Sequence, residues 1–495
     1  MSSDTARNRI PASVTLAIVA VVVAAALLGA AAVRTNGDDG AGEKPSGPSS
    51  TAPVAAAARA CSPFGTKQVD ASSLSVGNVT LQSDTASSGG SNEAARIPGG
   101  KAVPDLTVKR PGQWASTDLD AKPASAVALN ADGKLAPFST AFAATRPRGG
   151  VGGGLAAMQC PQSSSRAWFV GAGSTANHPG TLVLSNPTDV DAVVDVALYA
   201  AKDEVEVVGG SGIVVESGAA KQVSLDELGT GEDELGVAVT ATQGTVSASV
   251  LDGTGELNAY DGSEYLPIAT HPSTTSVVAG VPGGSDKRKL LVLNPGDNAA
   301  NVSLTVVGKD GTSKPSGLES ISVGAGSIKV VDLPDELADS ALSLRLQSKV
   351  PVTAAVRVIS DGDIAYAAAN EAVREPSAVP VRIGDALDDA DLRIAASAVA
   401  QDTGGAVRVR AHKADGSAIG KQATVKLGAG TTKSIDPIEE TGASRGKAAY
   451  VTVSPSGSAV RASATYRDGD DVSVIPLVEL PSTVVRPAVA PGTPR

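Results

Sequence analysis

Reactive side chains are scarce in this chain of 495 residues, so each candidate for chemistry can be weighed singly. The histidines are His178, His271 and His412. Two of them precede proline in connectors, and the third sits beside Lys413 near a hairpin turn. No pair has the spacing of a metal-ligand set, and no serine lies in a nucleophile-elbow context. The expectation is that each histidine is a surface loop residue. Gly171-Ala172-Gly173-Ser174-Thr175-Ala176 follows the apolar run Trp168-Phe169-Val170 and matches a loose dinucleotide fingerprint. That chemistry needs a helix next, whose N-terminus holds the pyrophosphate. Asn177-His178-Pro179-Gly180 cannot continue one, so an ordinary inter-strand loop is expected. Ser444 and Lys447 have the spacing of a serine nucleophile and its lysine base, but they lie in a glycine-rich loop without the partner motifs of that enzyme class. Two acidic clusters, Asp385 to Asp391 and Asp468 to Asp471, offer oxygens for calcium. The second lacks a ligand and the obligatory glycine where Val472 and Ser473 stand, and reads as a hairpin turn. The sequence therefore assigns no catalytic residue, no cofactor and no metal.

Cys61 and Cys160 are the two cysteines. In an exported chain such a pair predicts one disulfide, and two thiols without a paired histidine make a poor zinc site. A bridge there would clasp the two ends of one module, and closing so long a loop is worth about 4–5 kcal/mol in the chain-entropy model. Export itself is read from the N-terminus. Residues 1–13 carry Arg7 and Arg9; residues 14–33 are uncharged and long enough to cross a bilayer. The charge bias leaves residues 1–13 in the cytoplasm and favours an uncleaved single-pass signal-anchor, with the bulk of the chain extracytoplasmic. Residues 34–54 are Gly, Ser, Pro and charge, the composition of a disordered linker.

The elements that must carry these residues are strands. Hydrophobic residues are 42% of the chain but aromatics only 2%, so its cores are built from Val, Ala, Leu and Ile. The stretch Thr181 to Tyr199 reads as strand, Asn-Pro turn, strand, and it recurs from Leu290 to Gly308, with Asn294 lying 108 residues after Asn186. Lys221, Val223 and Leu225 match Lys329, Val331 and Leu333; Asp252-Gly253, Asp361-Gly362 and Asp468-Gly469 each close a unit. This repeat predicts an all-β chain of tandem immunoglobulin-like β-sandwich modules, with a β-propeller as the alternative. The modules expected are 55–161 with the disulfide, 165–268, 275–369 and 392–480, followed by a disordered tail at 481–495. In the first, Ser73 to Ser83 and Ser125 to Ser139 read as hairpin elements and 84–101 as a mobile loop. Gln401 to Gly405 replaces the Asn-Pro turn in the fourth. Trp168 is expected to fill a core.

Charge narrows the partners. Residues 161–275 hold 3 basic and 16 acidic side chains, a net of −13, which repels nucleic acid. With two tryptophans in the chain, rows of exposed aromatics for stacking on sugars are nearly closed off.

Cys160-Pro161, Trp168 to Gly173, Thr181 to Asp189 and Val223-Ser224-Leu225 together resemble an uncharacterised family, a domain of unknown function found in exported actinobacterial proteins. The resemblance implies an envelope location, points toward envelope-polymer assembly, and carries no catalytic residue with it. The function expected is a non-catalytic, membrane-tethered scaffold or interaction module, in contact with the membrane and with cell-wall polymer or envelope proteins. The alternatives are an accessory factor or hydrolase in envelope polysaccharide assembly, and an adhesin or receptor for another protein.

Overall fold

Alternation sets the inward face of each strand. In Ala192–Tyr199 the side chains of Ala192, Val194, Val196 and Leu198 are buried, while Val193, Asp195 and Ala197 are half-buried. The structure, a computed structural model, describes residues 50–62, 71–79, 89–119, 126–146, 153–202, 204–205, 207–229, 231–256, 259–398 and 404–486. The expected membrane segment 14–33 lies outside these residues, as do residues 401–403 and most of the expected linker and tail. Among the described residues no helix is long and apolar enough to cross a membrane.

The described chain is nearly all strand, and tandem two-sheet sandwiches are what it forms; no propeller or closed barrel is found among the described residues. The same seven-strand plan occurs four times. In the second module the first, third and fifth strands are Arg166–Ala172, Ala192–Tyr199 and Leu235–Gln243, paired in the order first–fifth–third. Its second, fourth, sixth and seventh strands are His178–Ser185, Ala220–Ser224, Ser247–Glu256 and Ala259–Leu266, paired in the order fourth–second–sixth–seventh. The first module repeats this with Ala56–Cys61, Ala71–Asn78, Asn92–Ile97, Trp114–Leu119, Ala126–Asp132, Ser139–Arg146 and Ala156–Gln159. In the third, the fifth and sixth strands fuse into Leu342–Ser360, which serves both sheets in turn. The fourth runs from Ser377–Pro380 to Asp471–Pro476, so its first strand precedes Leu392.

Several local expectations are corrected. Asn92–Ile97, expected within a mobile loop, is a strand paired with Ala126–Asp132. The chain turns at Asp132-Gly133, but Ala126–Asp132 and Ser139–Arg146 belong to different sheets, so the turn is a crossover and not a hairpin. The Asn-Pro turn also crosses between sheets. Asn186 is fully buried and braces that arch: its Nδ2 donates to the carbonyls of Val190 (2.8 Å) and Val215 (3.0 Å), and its Oδ1 accepts from Thr188 N (3.0 Å). Asn294 repeats the pattern with Asn298, Gly324 and Gly296. The recurring motif is thus a buried strut. Ser50–Pro53 and Thr483–Arg486, expected in the disordered linker and tail, pair as a two-stranded sheet.

Residues 53–483 form one unit, and within it the modules close on one another. The seventh strand of each module packs against the seventh strands of two others, in the order first, second, third, fourth and back to first. The cores follow the same cycle. Tyr265 of the second module lies in the core of the first, and Ile364 and Tyr366 of the third in that of the second. Val472 and Val474 of the fourth lie in the core of the third, while Phe142, Leu155 and Ala157 of the first lie in that of the fourth. Each module therefore lends its last strand to its predecessor.

Candidate functional site

Where the four seventh strands meet, apolar side chains alone cannot satisfy the backbone, because strands from different modules bring N–H groups together without a shared ladder. Two buried carboxyls fill that need. Glu264 Oε1 accepts from Ala157 N (3.0 Å) and Tyr265 N (2.9 Å), and its Oε2 from Val474 N (3.0 Å). Asp363 Oδ2 accepts from Val472 N (2.8 Å) and Leu155 N (3.3 Å), and its Oδ1 from Ile364 N (2.8 Å). Ser473 Oγ accepts from Ala157 N at 3.0 Å, and Ser263 Oγ donates to the Gly153 carbonyl. Gly154 lets the chain pass: its φ is +61°, and a Cβ there would collide with the Asp363 carboxyl. Burial raises the Asp363 carboxyl to about 7 against the pull of its three N–H donors, and raises Glu264 well above the usual carboxylate range.

A second polar cluster joins the second and third modules. His178 Nε2 lies 2.8 Å from Asp252 Oδ2; Tyr366 Oη lies 2.7 Å from the same oxygen; and Gly173 N donates to Asp252 Oδ1 at 3.0 Å. Arg357 embraces Glu234 with both terminal nitrogens. Burial pulls the His178 pKa down, but the charge and hydrogen bond of Asp252 outweigh it and hold the imidazole above its ordinary value. A His-Asp pair is the base half of a hydrolytic triad. Among the described residues no hydroxyl or thiol is hydrogen-bonded to His178; Tyr366 and Arg357 of the third module bond to Asp252 and Glu234 of the second, which fastens the two modules together. Sequence reasoning missed Asp252 as a member: Asp-Gly marks a turn in the third and fourth modules, but here the strand runs on to Glu256 and buries Asp252 within it.

A cavity of about 550 Å³ opens at the far ends of the seventh strands. Each module contributes one wall, from residues 157–162, 265–270, 369–374 and 474–479. Arg59 lines it, donating to the carbonyls of Cys160 and Ser139 (both 3.2 Å). No carboxylate among the described residues pairs with Arg59, and burial lowers its pKa to about 10. Cys160, also at the wall, is bonded to Cys61 with a Cα–Cα distance of 4.8 Å, tying the first strand of the first module to the end of its seventh.

The other sequence candidates are placed as follows. His178 and His412 are buried and so depart from the surface expectation; the His412 ring stacks on Tyr450 at 4.7 Å. His271 accepts from Trp168 Nε1 at 3.1 Å. Trp168, expected in a core, is half-buried; it is Trp114 that fills one, stacked between Tyr450 and Phe142. Gly171 and Ala172 end a strand, and Ser174-Thr175 form a short strand paired with His178 and Pro179. The Ser444 region is a short 3-10 turn in which Arg445 pairs with Asp391 (3.3 Å) and Asp436 (3.7 Å). Arg146 neutralises Asp468 and Asp471 across the seam of the first and fourth modules. Among the described residues no group of His, Cys, Asp or Glu could hold a metal ion.

Fold and site together define a four-module β-sandwich protein whose modules close in a cycle around buried carboxyls and a central cavity. The chain belongs to a family of unknown function (DUF5719), whose pattern matches residues 115–438 and so spans parts of all four modules. No curated protein matches it in sequence. Among solved structures, an Anabaena sensory rhodopsin transducer aligns at 26% identity over 18% of this chain and 97% of its own, with a TM-score of 0.14. At that score the likeness carries no argument.

Proposed function

We propose that this protein is a non-catalytic, membrane-tethered component of the cell envelope that works outside the cytoplasm as a scaffold or interaction module. The observation that carries the reading is the use made of its reactive groups. Glu264, Asp363 and the His178–Asp252 pair, buried groups of the types that acid–base chemistry uses, are each hydrogen-bonded into the seams that join modules. The Cys61–Cys160 bond suits an oxidising compartment, and residues 14–33 suit a single membrane anchor. The acidic second module favours protein or neutral polymer partners over nucleic acid.

The test places a photo-reactive residue at exposed loop positions, Ser316 and Val190, and irradiates intact cells. A discrete adduct with an envelope protein or polymer, on a chain that stays with washed membranes, is expected. A chain recovered in the cytosol, or free of adducts from every loop position, would overturn the reading.

A further inference from the structure

We propose that the cavity at the meeting point of the four modules binds a small carboxylate amphiphile, an apolar body bearing one anionic head that pairs with Arg59. The inference is independent of the scaffold reading. Its walls are apolar, with Met158, Phe169, Ala248, Leu266, Val373 and Ile475 among them, and its volume of about 550 Å³ suits a small ligand. Ile268 and Val478, which also line it, are 39% and 37% exposed, so an apolar surface leads in from solvent.

Three of the polar side chains that line it are buried and each has one atom left without a partner. Arg59 Nε, Ser249 Oγ and Asn370 Oδ1 are buried with no hydrogen-bond partner, although their residues are only 6%, 4% and 3% exposed. A buried polar atom without a partner costs free energy, so a site that gathers three of them is one in which a ligand gains by supplying the partners. Arg59 Nε and Ser249 Oγ offer two donors, which call for an acceptor. The guanidinium beside them has only carbonyl partners, which makes an anionic acceptor better than a neutral one. One cation calls for a single negative charge, and a carboxylate matches the planar fork of a guanidinium. Asn370 Oδ1 adds an acceptor, so a hydroxyl on the same ligand would be met as well. Glu371, Arg374 and Glu479 stand at the mouth but are exposed, and water and salt screen them more than the buried Arg59.

The experiment uses the full-length chain in detergent-free phosphatidylcholine nanodiscs, with empty discs subtracted, and titrates octanoate by calorimetry. Saturable binding of one octanoate per chain is expected, with octanol weaker by about tenfold or more and octyltrimethylammonium not bound. Arg59→Gln should weaken octanoate by about tenfold or more and bring it level with octanol. Ala372→Trp, which narrows the mouth at a half-buried position, should abolish binding and serves if the Arg59 variant fails to fold. Absence of saturable binding, equal affinity for octanoate and octanol, or full binding by Ala372→Trp would each overturn the proposal; the unmatched groups would then be met by water alone.

Discussion

Replacing Asp363 by Asn isolates the charge held at the centre of the molecule. The side chain keeps its size, but its NH2 must face at least one of the three backbone N–H groups that the carboxyl accepts from. An unpaired buried donor costs about 1–3 kcal/mol, so the variant should be less stable than the parent by that amount at pH 5. The sign of the pH effect follows from the raised pKa. The folded carboxyl titrates at about 7 and the unfolded one near 3.8, so between those values the folded state holds a proton that the unfolded state has lost. The contribution to stability is fully present below the unfolded value and is lost as pH rises through 7. The whole shift corresponds to about 4 kcal/mol, of which about 3 kcal/mol falls between pH 5 and pH 8. Asn does not titrate. The parent should therefore lose about 3 kcal/mol relative to the variant from pH 5 to pH 8, closing or reversing the gap; the contribution of His178 is common to both, whereas Glu264, which the Asp363 charge helps to raise, adds to the parent's loss. Urea denaturation of both chains at pH 5, 6, 7 and 8 reads this directly. A gap that stays constant with pH would refute the reasoning, because Asp363 would then be ionised or exposed throughout.

Removing the disulfide with Cys61→Ser and Cys160→Ser should cost about 2–5 kcal/mol, read as earlier unfolding of the first module, and the oxidised parent should yield no free thiol after denaturation; an unchanged melting curve would contradict this. Asn186→Ala deprives the carbonyls of Val190 and Val215 of their donor, and a loss of about 1–3 kcal/mol is expected in a denaturation midpoint, with Asn294→Ala giving a similar loss. The raised His178 pKa contributes stability that is present below the unfolded imidazole value and lost as pH rises through the folded one; His178→Gln should flatten that part of the profile, and an NMR titration showing an ordinary imidazole pKa would refute the pairing with Asp252.

How much of this was legible in the sequence depended on what kind of contact carried it. Apolar residues at period two, as in Val194, Val196 and Leu198, report a buried sheet face wherever they occur, so the sandwich class could be read. The Asn-Pro repeat exposed the spacing of two modules because its asparagines do the same local work in each. Closure into a cycle left no such mark. It is made by groups of ordinary type, Glu264, Asp363, Gly154 and Ser473, whose meaning comes from partners a hundred or more residues away. Asp252 and His178 were misplaced for a related reason: a turn signal and a His-Pro pair describe local chain, whereas their burial is decided by the third module packing over them through Tyr366 and Arg357. The first module shares the seven-strand plan with none of the Asn-Pro motif, so only the backbone pairing discloses the kinship.

The claim that the four modules close on one another is tested most directly by ending the chain after Pro376 and measuring amide hydrogen exchange in the first module. In a linear string of sandwiches the loss of the fourth module would leave Ser139–Arg146 and Ala156–Gln159 as protected as before. In the cycle, Phe142, Leu155 and Ala157 lose the core they enter, and Ala157 N loses Ser473. Exchange in those two strands should accelerate while Ala192–Tyr199 of the second module stays protected. Unchanged protection across residues 139–159 would contradict the account.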